Sequence, residues 1–337
     1  MFDLYITTGA GNHIIGGTDI WTNNFIENVF PKLKNDSLLL IDNKRFSDFN
    51  DESIHVPFHI HSDDEYKTDE LLKKCDRIFF LHHHYHKRPH LIPYLDKVEG
   101  TFVHAYIPEI QVLDQIPEMS KLQVGTKLDF EWQSKILNSS NYIFWIGITN
   151  QQLHDDFDGV INIPNFYEFE HNLDLSDSIS NGKVGYAARC ESRKNPHYMN
   201  FVNGYMLTSS RDIENLKSVT DYKFKKSKIY EWNNDIKDKF FRKDWGIFHG
   251  AYLHEPFGYS IFEAVDYGKL PILHSTYINI PNYELIIKNL GEFVDLTYTL
   301  SQKDTKYLKS QFTIFKNFLH GFTNKEKWVS DILNYIN

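Results

Sequence analysis

The sequence predicts an α/β protein built from two doubly wound sheets, one after the other along 337 residues. Short apolar runs bounded by polar turns recur along the whole chain. Helix-period segments separate several of them, the pattern of a mostly parallel sheet covered on both faces. The pattern then restarts near residue 183, after a polar stretch. A chain of this length exceeds the commonest single-domain size and has ample material for two cores.

Expected strands of the first half are Leu4–Thr7, Leu38–Asp42, Arg77–Leu81, Thr101–Tyr106, Tyr142–Ile146 and Val160–Ile163. Between the first two, Trp21, Phe25 and Val29 recur at i, i+4 and i+8, which puts them on one face of a helix. Glu168–Gly182, rich in Asp, Ser and Asn, reads as a linker. Lys183–Ala188, Tyr205–Thr208, Gly246–His249 and Leu270–Leu273 are the strands expected next. Thr305–His320 and Glu326–Ile336 read as closing helices that pack outside. The expected division is an N-terminal domain over 1–170, a second over 171–310, and C-terminal helices over 311–337 packing across both.

The net charge of −9 is unevenly spread. Residues 1–172 hold 14 Lys and Arg against 26 Asp and Glu, a net of −12. Residues 173–245 hold 14 against 10, a net of +4, which suits an anionic ligand there. No apolar run approaches the roughly 20 residues of a membrane span, so no stable membrane insertion is expected. The opening MFDLYITTGAG reads as a buried strand and lacks the basic start and long apolar stretch of a signal peptide. Cys75 and Cys190 lie far apart without metal-like spacing and suit a reducing cytoplasm.

The segment EPFGYSIFEA, 255–264, carries the chemistry. Gly258 sits where a loop becomes a helix. The amides of Gly258, Tyr259 and Ser260 would be donors beside the positive end of that helix, a ready place for a phosphate. Gly268 fits the C′ position that ends it. Glu255 precedes the helix and Glu263 lies about two turns in, spaced to accept hydrogen bonds from hydroxyls of two sugars. Taken alone, the two glutamates would equally fit a solvated helix face.

Their surroundings decide between the two. GIFHGAYLHEPFGYSIFEAVDYGKLPIL resembles the C-terminal signature of retaining glycosyltransferases of the GT-B fold, family 4 type: a strand, E-P-F-G, a helix with a second Glu, a small-residue turn, Pro and another strand. VGYAARCESRKNPHY resembles that family's strand-end element G-R-x-x-x-x-K-N. Arg189 and Lys194 take the Arg and Lys places, Asn195 follows, and Ala188 stands where Gly is usual. More weakly, NHIIGGTDIWTNNFIENV resembles the family's Gly-Gly loop and helix, with Gly16 and Gly17. VHAY resembles the strand ending in His, here His104. INIPNF resembles I-P-N-G, with Phe166 replacing Gly. The elements occur in the family's order over residues 10–275.

The resemblance implies a GT-B protein: two Rossmann-like domains facing across a cleft, the first on the acceptor side and the second binding a nucleotide sugar. It implies sugar transfer from a nucleotide diphosphate sugar, a UDP-sugar first, to an acceptor hydroxyl with retention. Arg189 and Lys194 would stabilise the leaving diphosphate. Glu255 would position the donor sugar, Glu263 the ribose, and His104 would orient the sugar. Gly16 and Gly17 would bring amides to the diphosphate. Phe257, Gly258, Tyr259 and Ser260 would frame the donor, and Tyr230 or Trp232, after the basic run Lys223, Lys225, Lys226 and Lys228, would stack on the base, where the residues themselves read equally as a solvated charge run beside core aromatics. No metal or other cofactor is implied. The run His82, His83, His84, His86 and His90 lacks a carboxylate or Cys pattern to complete a metal site and reads as a polar loop near the acceptor.

The expected acceptor is a cell-envelope glycan or glycolipid. An acidic first half argues against tight binding to anionic lipid. A phage enzyme glycosylating hydroxymethylated DNA in a host cytoplasm is the alternative, and the same acidity opposes it. A non-catalytic sugar-nucleotide binding protein would be expected to lack Arg189, Lys194 or Glu263, and all three are present.

Overall fold

The computed structural model describes residues 2–7, 17–41, 59–61, 65–82, 89–104, 106, 127–148, 151–221, 223–253 and 255–337. They divide into two compact units. The described residues of Met1–Pro108, Gly125–Phe166 and Asn324–Asn337 form the first, and those of Tyr167–Thr323 the second.

In the first unit β1 (Asp3–Thr7), α1 (Gly17–Asn28), β2 (Ser37–Ile41), β3 (His59–His61), α2 (Glu65–Lys74), β4 (Arg77–Phe80), β5 (Val98–Val103), α3 (Lys127–Ser139), β6 (Tyr142–Trp145), α4 (Gln151–Asp156) and β7 (Val160–Asn162) follow in order. The strands pair in parallel in the order β3-β2-β1-β4-β5-β6-β7. The central strands β1 and β4 read as apolar runs because helices cover both faces of such a sheet. β3, sequence His-Ile-His, gave no apolar run and was not expected; it forms by pairing with β2 at the sheet edge. The stripe on α1 is as the spacing requires: Trp21, Phe25 and Val29 are all fully buried. Trp21 lies 4.8 Å from Phe102, and Tyr5 stacks on Phe79 at 4.9 Å. Burying side chains of this kind stabilises by about 1.5–3 kcal/mol each.

In the second unit β8 (Val184–Ala187), β9 (Gly204–Thr208), α5 (Ser210–Val219), β10 (Ser227–Glu231), α6 (Asn234–Phe241), β11 (Ile247–Gly250), α7 (Tyr259–Asp266), β12 (Leu270–His274), β13 (Ile286–Ile287), α8 (Leu290–Leu300) and α9 (Thr305–His320) follow. The sheet is parallel throughout, in the order β10-β9-β8-β11-β12-β13. In each sheet the winding reverses once, between β1 and β4 in the first and between β8 and β11 in the second. Ligands of doubly wound sheets bind at the carboxyl ends of the strands at that reversal.

The last helix, α10 (Lys325–Ile336), does not pair off with the end of α9 as a third segment. Its Trp328, Val329, Ile332 and Ile336 complete the core of the first unit. Trp328 sits 4.8 Å from Phe166 and 6.1 Å from Trp21. Phe166, which replaces the usual Gly of that element, therefore fills space against α10. The unit boundaries fall at 166/167 and 323/324 instead of 170/171 and 310/311. The amphipathic period of α10 foretells that it packs but not on what.

The polar stretch after residue 167 is also tied down. Asp266 on α7 is 1% exposed. It accepts from the backbone N–H groups of Glu170 at 3.1 Å, His171 at 3.0 Å and Asn172 at 2.5 Å. The His171 ring lies 4.1 Å from that of Tyr267. Asp266→Ala would strand these donors and should cost about 2–3 kcal/mol in urea unfolding, with Asp266→Asn costing less.

Candidate active site

The loops that leave β8 and β11 at the reversal of the second sheet are bound to each other. Asn195 is fully buried with φ of 48°. Its Nδ2 donates to the Ala251 carbonyl at 2.9 Å, and its own carbonyl accepts from His249 Nε2 at 2.9 Å. The Ala251 N–H donates to His249 Nδ1 at 3.2 Å, and the Leu253 N–H to the Arg193 carbonyl at 2.7 Å. A carbonyl only accepts and an N–H only donates, so His249 must be neutral with its proton on Nε2. Burial agrees, pushing its pKa down to about 3. The ring stacks on Tyr198 at 5.4 Å and packs against Phe293 at 4.8 Å.

This platform carries a run of alternating charges. Arg189 lies 3.3 Å from Glu191, and Arg193 reaches Glu191 through Nε at 3.1 Å. The same guanidinium reaches Glu255 Oε2 at 3.2 Å, and the Lys194 ammonium pairs with that oxygen too. Lys194 Nζ also sits 4.2 Å over the ring of Tyr252. The Lys194 and Glu255 side chains are 12% and 11% exposed, whereas that of Arg189 is 55% exposed. Burial alone would raise the Glu255 carboxyl, but Lys194 and Arg193 outweigh it and hold it below its ordinary value. Glu191 is lowered likewise: burial opposes, and Arg193, Arg189 and Lys194 prevail. At Lys194 burial outweighs the pull of Glu255 and, more weakly, Glu191, with Arg193 adding to the lowering, and brings it down to about 8.

The start of α7 adjoins Glu255. Gly258 has φ of 78°, and a Cβ there would lie 2.9 Å from Ile261 Cδ1 and 3.2 Å from Glu255 Cγ. Conformation and space both demand glycine. No side chain caps this helix. Phe257 stacks on Phe262 at 4.3 Å, and its carbonyl accepts from the Tyr277 hydroxyl at 2.6 Å. Tyr259 is 9% exposed, and its hydroxyl has no hydrogen-bond partner among the described residues. Ser260 is half-buried. Glu263, 7% exposed, is ion-paired with Lys237 of α6. Burial raises its carboxyl above the ordinary value, with Lys237 opposing. Gly268, φ 71°, ends the helix: its N–H bonds Val265 O at 2.9 Å, and Lys269 N–H bonds Ala264 O at 2.8 Å.

The remaining residues singled out in the sequence lie elsewhere. Tyr230 on β10 meets Phe240 of α6 at 6.3 Å and Tyr205 at 6.2 Å, with the ammoniums of Lys243 and Lys228 at 4.8 and 5.2 Å. These contacts join it to the sheet and α6, not to Glu255 or Glu263. In the first unit Gly17 is the exposed first residue of α1, and Gly16 lies outside the described residues. His104, just after β5, is buried; its Nε2 donates to Leu81 O at 2.8 Å, and its ring stands edge-on to Trp21 at 4.9 Å and 5.0 Å from His82. Burial pushes its pKa down to about 3, so it is neutral. His83, His84, His86 and the side chain of His90 lie outside the described residues. Among the described residues no three His, Cys, Asp or Glu are grouped to hold a metal ion. No helix among them is long and apolar enough to cross a membrane.

Sequence reasoning missed Arg193, Glu191 and Lys237. The first two sit inside the five-residue spacing from Arg189 to Lys194, where the run CESRKN held the signal. Lys237 is 26 positions from Glu263, and only folding pairs them.

The winding defines a fold: two Rossmann-like units, as in the GT-B fold. No family model and no curated protein sequence matches the chain, but solved structures do. A lipopolysaccharide outer core galactosyltransferase, WaaB in its apo form, is similar with a TM-score of 0.63 at 12% identity, over 100% of this chain and 99% of that one. Sucrose-phosphate synthase from Thermosynechococcus elongatus is similar with a TM-score of 0.68 at 10% identity, over 98% and 96%. A trehalose-6-phosphate protein from E. coli bound with UDP-2-fluoro glucose is similar with a TM-score of 0.60 at 10% identity, over 99% and 98%. At such identities the likeness is one of fold.

His249 makes the platform sensitive to acid. Unfolded, a histidine takes up its proton near pH 6.5; folded, His249 does so only at about 3. Between these values the unfolded chain binds more protons, so stability is full above about pH 6.5 and falls as pH drops toward 3. His249→Phe keeps the ring packing but strands the Asn195 carbonyl and the Ala251 N–H. It should cost about 2–3 kcal/mol at neutral pH and then lose less stability than the parent protein on acidification, read by urea unfolding across pH.

Proposed function

We propose that the protein is a glycosyltransferase that moves a sugar from a nucleotide diphosphate sugar to an acceptor hydroxyl with retention. The observation that carries this reading is the largely enclosed pair Lys194–Glu255 beside the uncapped start of α7, at the reversal point of the second sheet. As the bond from the sugar to the diphosphate breaks, negative charge grows on the leaving group. Lys194, the exposed Arg189, and the amides of Gly258, Tyr259 and Ser260 stabilise that charge, so no metal is needed. Glu255 accepts from a hydroxyl of the donor sugar and Glu263 from the ribose. Phe257 and Tyr259 frame the donor, Tyr230 stacks on the base, and Gly16 and Gly17 offer amides to the diphosphate. His104, kept neutral by burial, orients the sugar by hydrogen bonding rather than by charge.

With no carboxylate set as a nucleophile among the described residues, we take the new bond to form on the face from which the diphosphate departs. The acceptor's proton passes to the leaving phosphate oxygen. The UDP-2-fluoro glucose in one similar structure supports a UDP-sugar as donor. The lipopolysaccharide galactosyltransferase among the similar structures supports a cell-envelope glycan or glycolipid as acceptor.

Thermal unfolding with a panel of UDP-, GDP- and ADP-sugars tests the reading. A UDP-sugar at about a hundred times its Kd should add about 2.7 kcal/mol of stability. Lys194→Ala and Glu263→Ala should weaken donor binding by about tenfold or more, and Arg189→Ala should slow turnover by a similar factor. Parental donor affinity and turnover in both Arg189→Ala and Glu263→Ala would sink the assignment.

A further inference from the structure

Arg193 takes no part in the mechanism above, yet it occupies the centre of the charge run. Its guanidinium bridges two carboxylates on different edges: Nε lies 3.1 Å from Glu191 Oε2 and an Nη 3.2 Å from Glu255 Oε2. Its carbonyl is fixed by the Leu253 N–H at 2.7 Å. Glu191 is itself held by Arg189 at 3.3 Å. Lys194 is attached differently. Its ammonium has the Glu255 oxygen and the face of Tyr252, a point charge on a flexible stem that can turn to another anion. Both cations converge on Oε2 of Glu255, and among the described residues no donor is paired with Oε1.

A diphosphate arriving at the start of α7 would compete with Glu255 for Lys194. Glu255 is 11% exposed and could not stay ionised there without a counter-ion. Arg193 cannot follow Lys194, because Glu191 anchors its other edge. We propose that Arg193 is a positioning residue: it keeps Glu255 a carboxylate, with Oε1 presented to the donor sugar, while Lys194 turns to the diphosphate. This rests on the glycosyltransferase reading for the ligand but not for the Arg193–Glu255 contact itself. Among the described residues, the charged and titratable groups facing Glu255 are Lys194, Arg193, Glu191 and the hydroxyls of Tyr252 and Tyr277.

The test follows the Glu255 carboxyl by carbon NMR across pH, identified by its loss in Glu255→Gln, with and without UDP. In the parent protein Glu255 should stay ionised at neutral pH in both states. In Arg193→Gln it should titrate about one pH unit higher without ligand, and about one unit higher again with UDP, as Lys194 is drawn away. Arg193→Lys should recover part of the first shift. An unchanged titration in Arg193→Gln overturns the proposal, as does a parent protein whose Glu255 moves to neutral pH on binding UDP. If UDP fails to bind the parent protein, the glycosyltransferase reading fails, while the ligand-free titration still decides whether Arg193 holds Glu255. If Arg193→Gln does not fold, Arg193→Lys, whose single ammonium cannot bridge Glu191 and Glu255 as the guanidinium does, should shift the same titration upward by a smaller step; no shift there overturns the proposal.

Discussion

A carboxylate removed from water must have cations beside it, and Glu255 draws much of the second unit's loop structure around that need. Lys194 and Arg193 both reach its Oε2, yet they come from a loop 61 and 62 positions earlier in the chain. They arrive there because that loop leaves β8, the neighbour of β11, and because Asn195 and His249 fasten the two loops together. A buried, neutral histidine is thus a condition for the charged cluster. It supplies hydrogen bonds of fixed direction at no cost of a further buried charge.

The short helix α7 divides its two ends between different tasks. At its start, Gly258 turns the chain in the left-handed region and leaves the first amides without a side-chain cap. At its end, Gly268 closes the last carbonyls, while Asp266 gathers the polar stretch that follows residue 167. Donors are left available where the dipole is positive, and the opposite end is saturated. Glu263, between the two, faces inward and is held by Lys237 from α6.

In the first unit His104 is held by aromatic packing and by its hydrogen bond to the Leu81 carbonyl. His104 stands against Trp21, which also meets Phe102 and the Trp328 of α10. The chain's last helix therefore supports, through Trp21, the side of the first sheet on which His104 is placed. Burial keeps His104 uncharged.

The sequence by itself determined the alternation of strands and helices, the apolar stripe of α1, and the two ends of α7. Each depends on local chemistry: a period of 3.6 or 2, a glycine with positive φ, a helix start without a cap. The spacing of Glu255 and Glu263, and of Arg189 and Lys194, was legible for the same reason. Partners across the fold were not. That Arg193 shares Glu255 with Lys194, that Lys237 meets Glu263, that α10 belongs to the first core, and that β3 forms at all are consequences of which surfaces meet. A side chain's charge or apolarity says that it needs a partner. Only the tertiary structure decides which one, because the pairing depends on strand order and loop closure that no local pattern records.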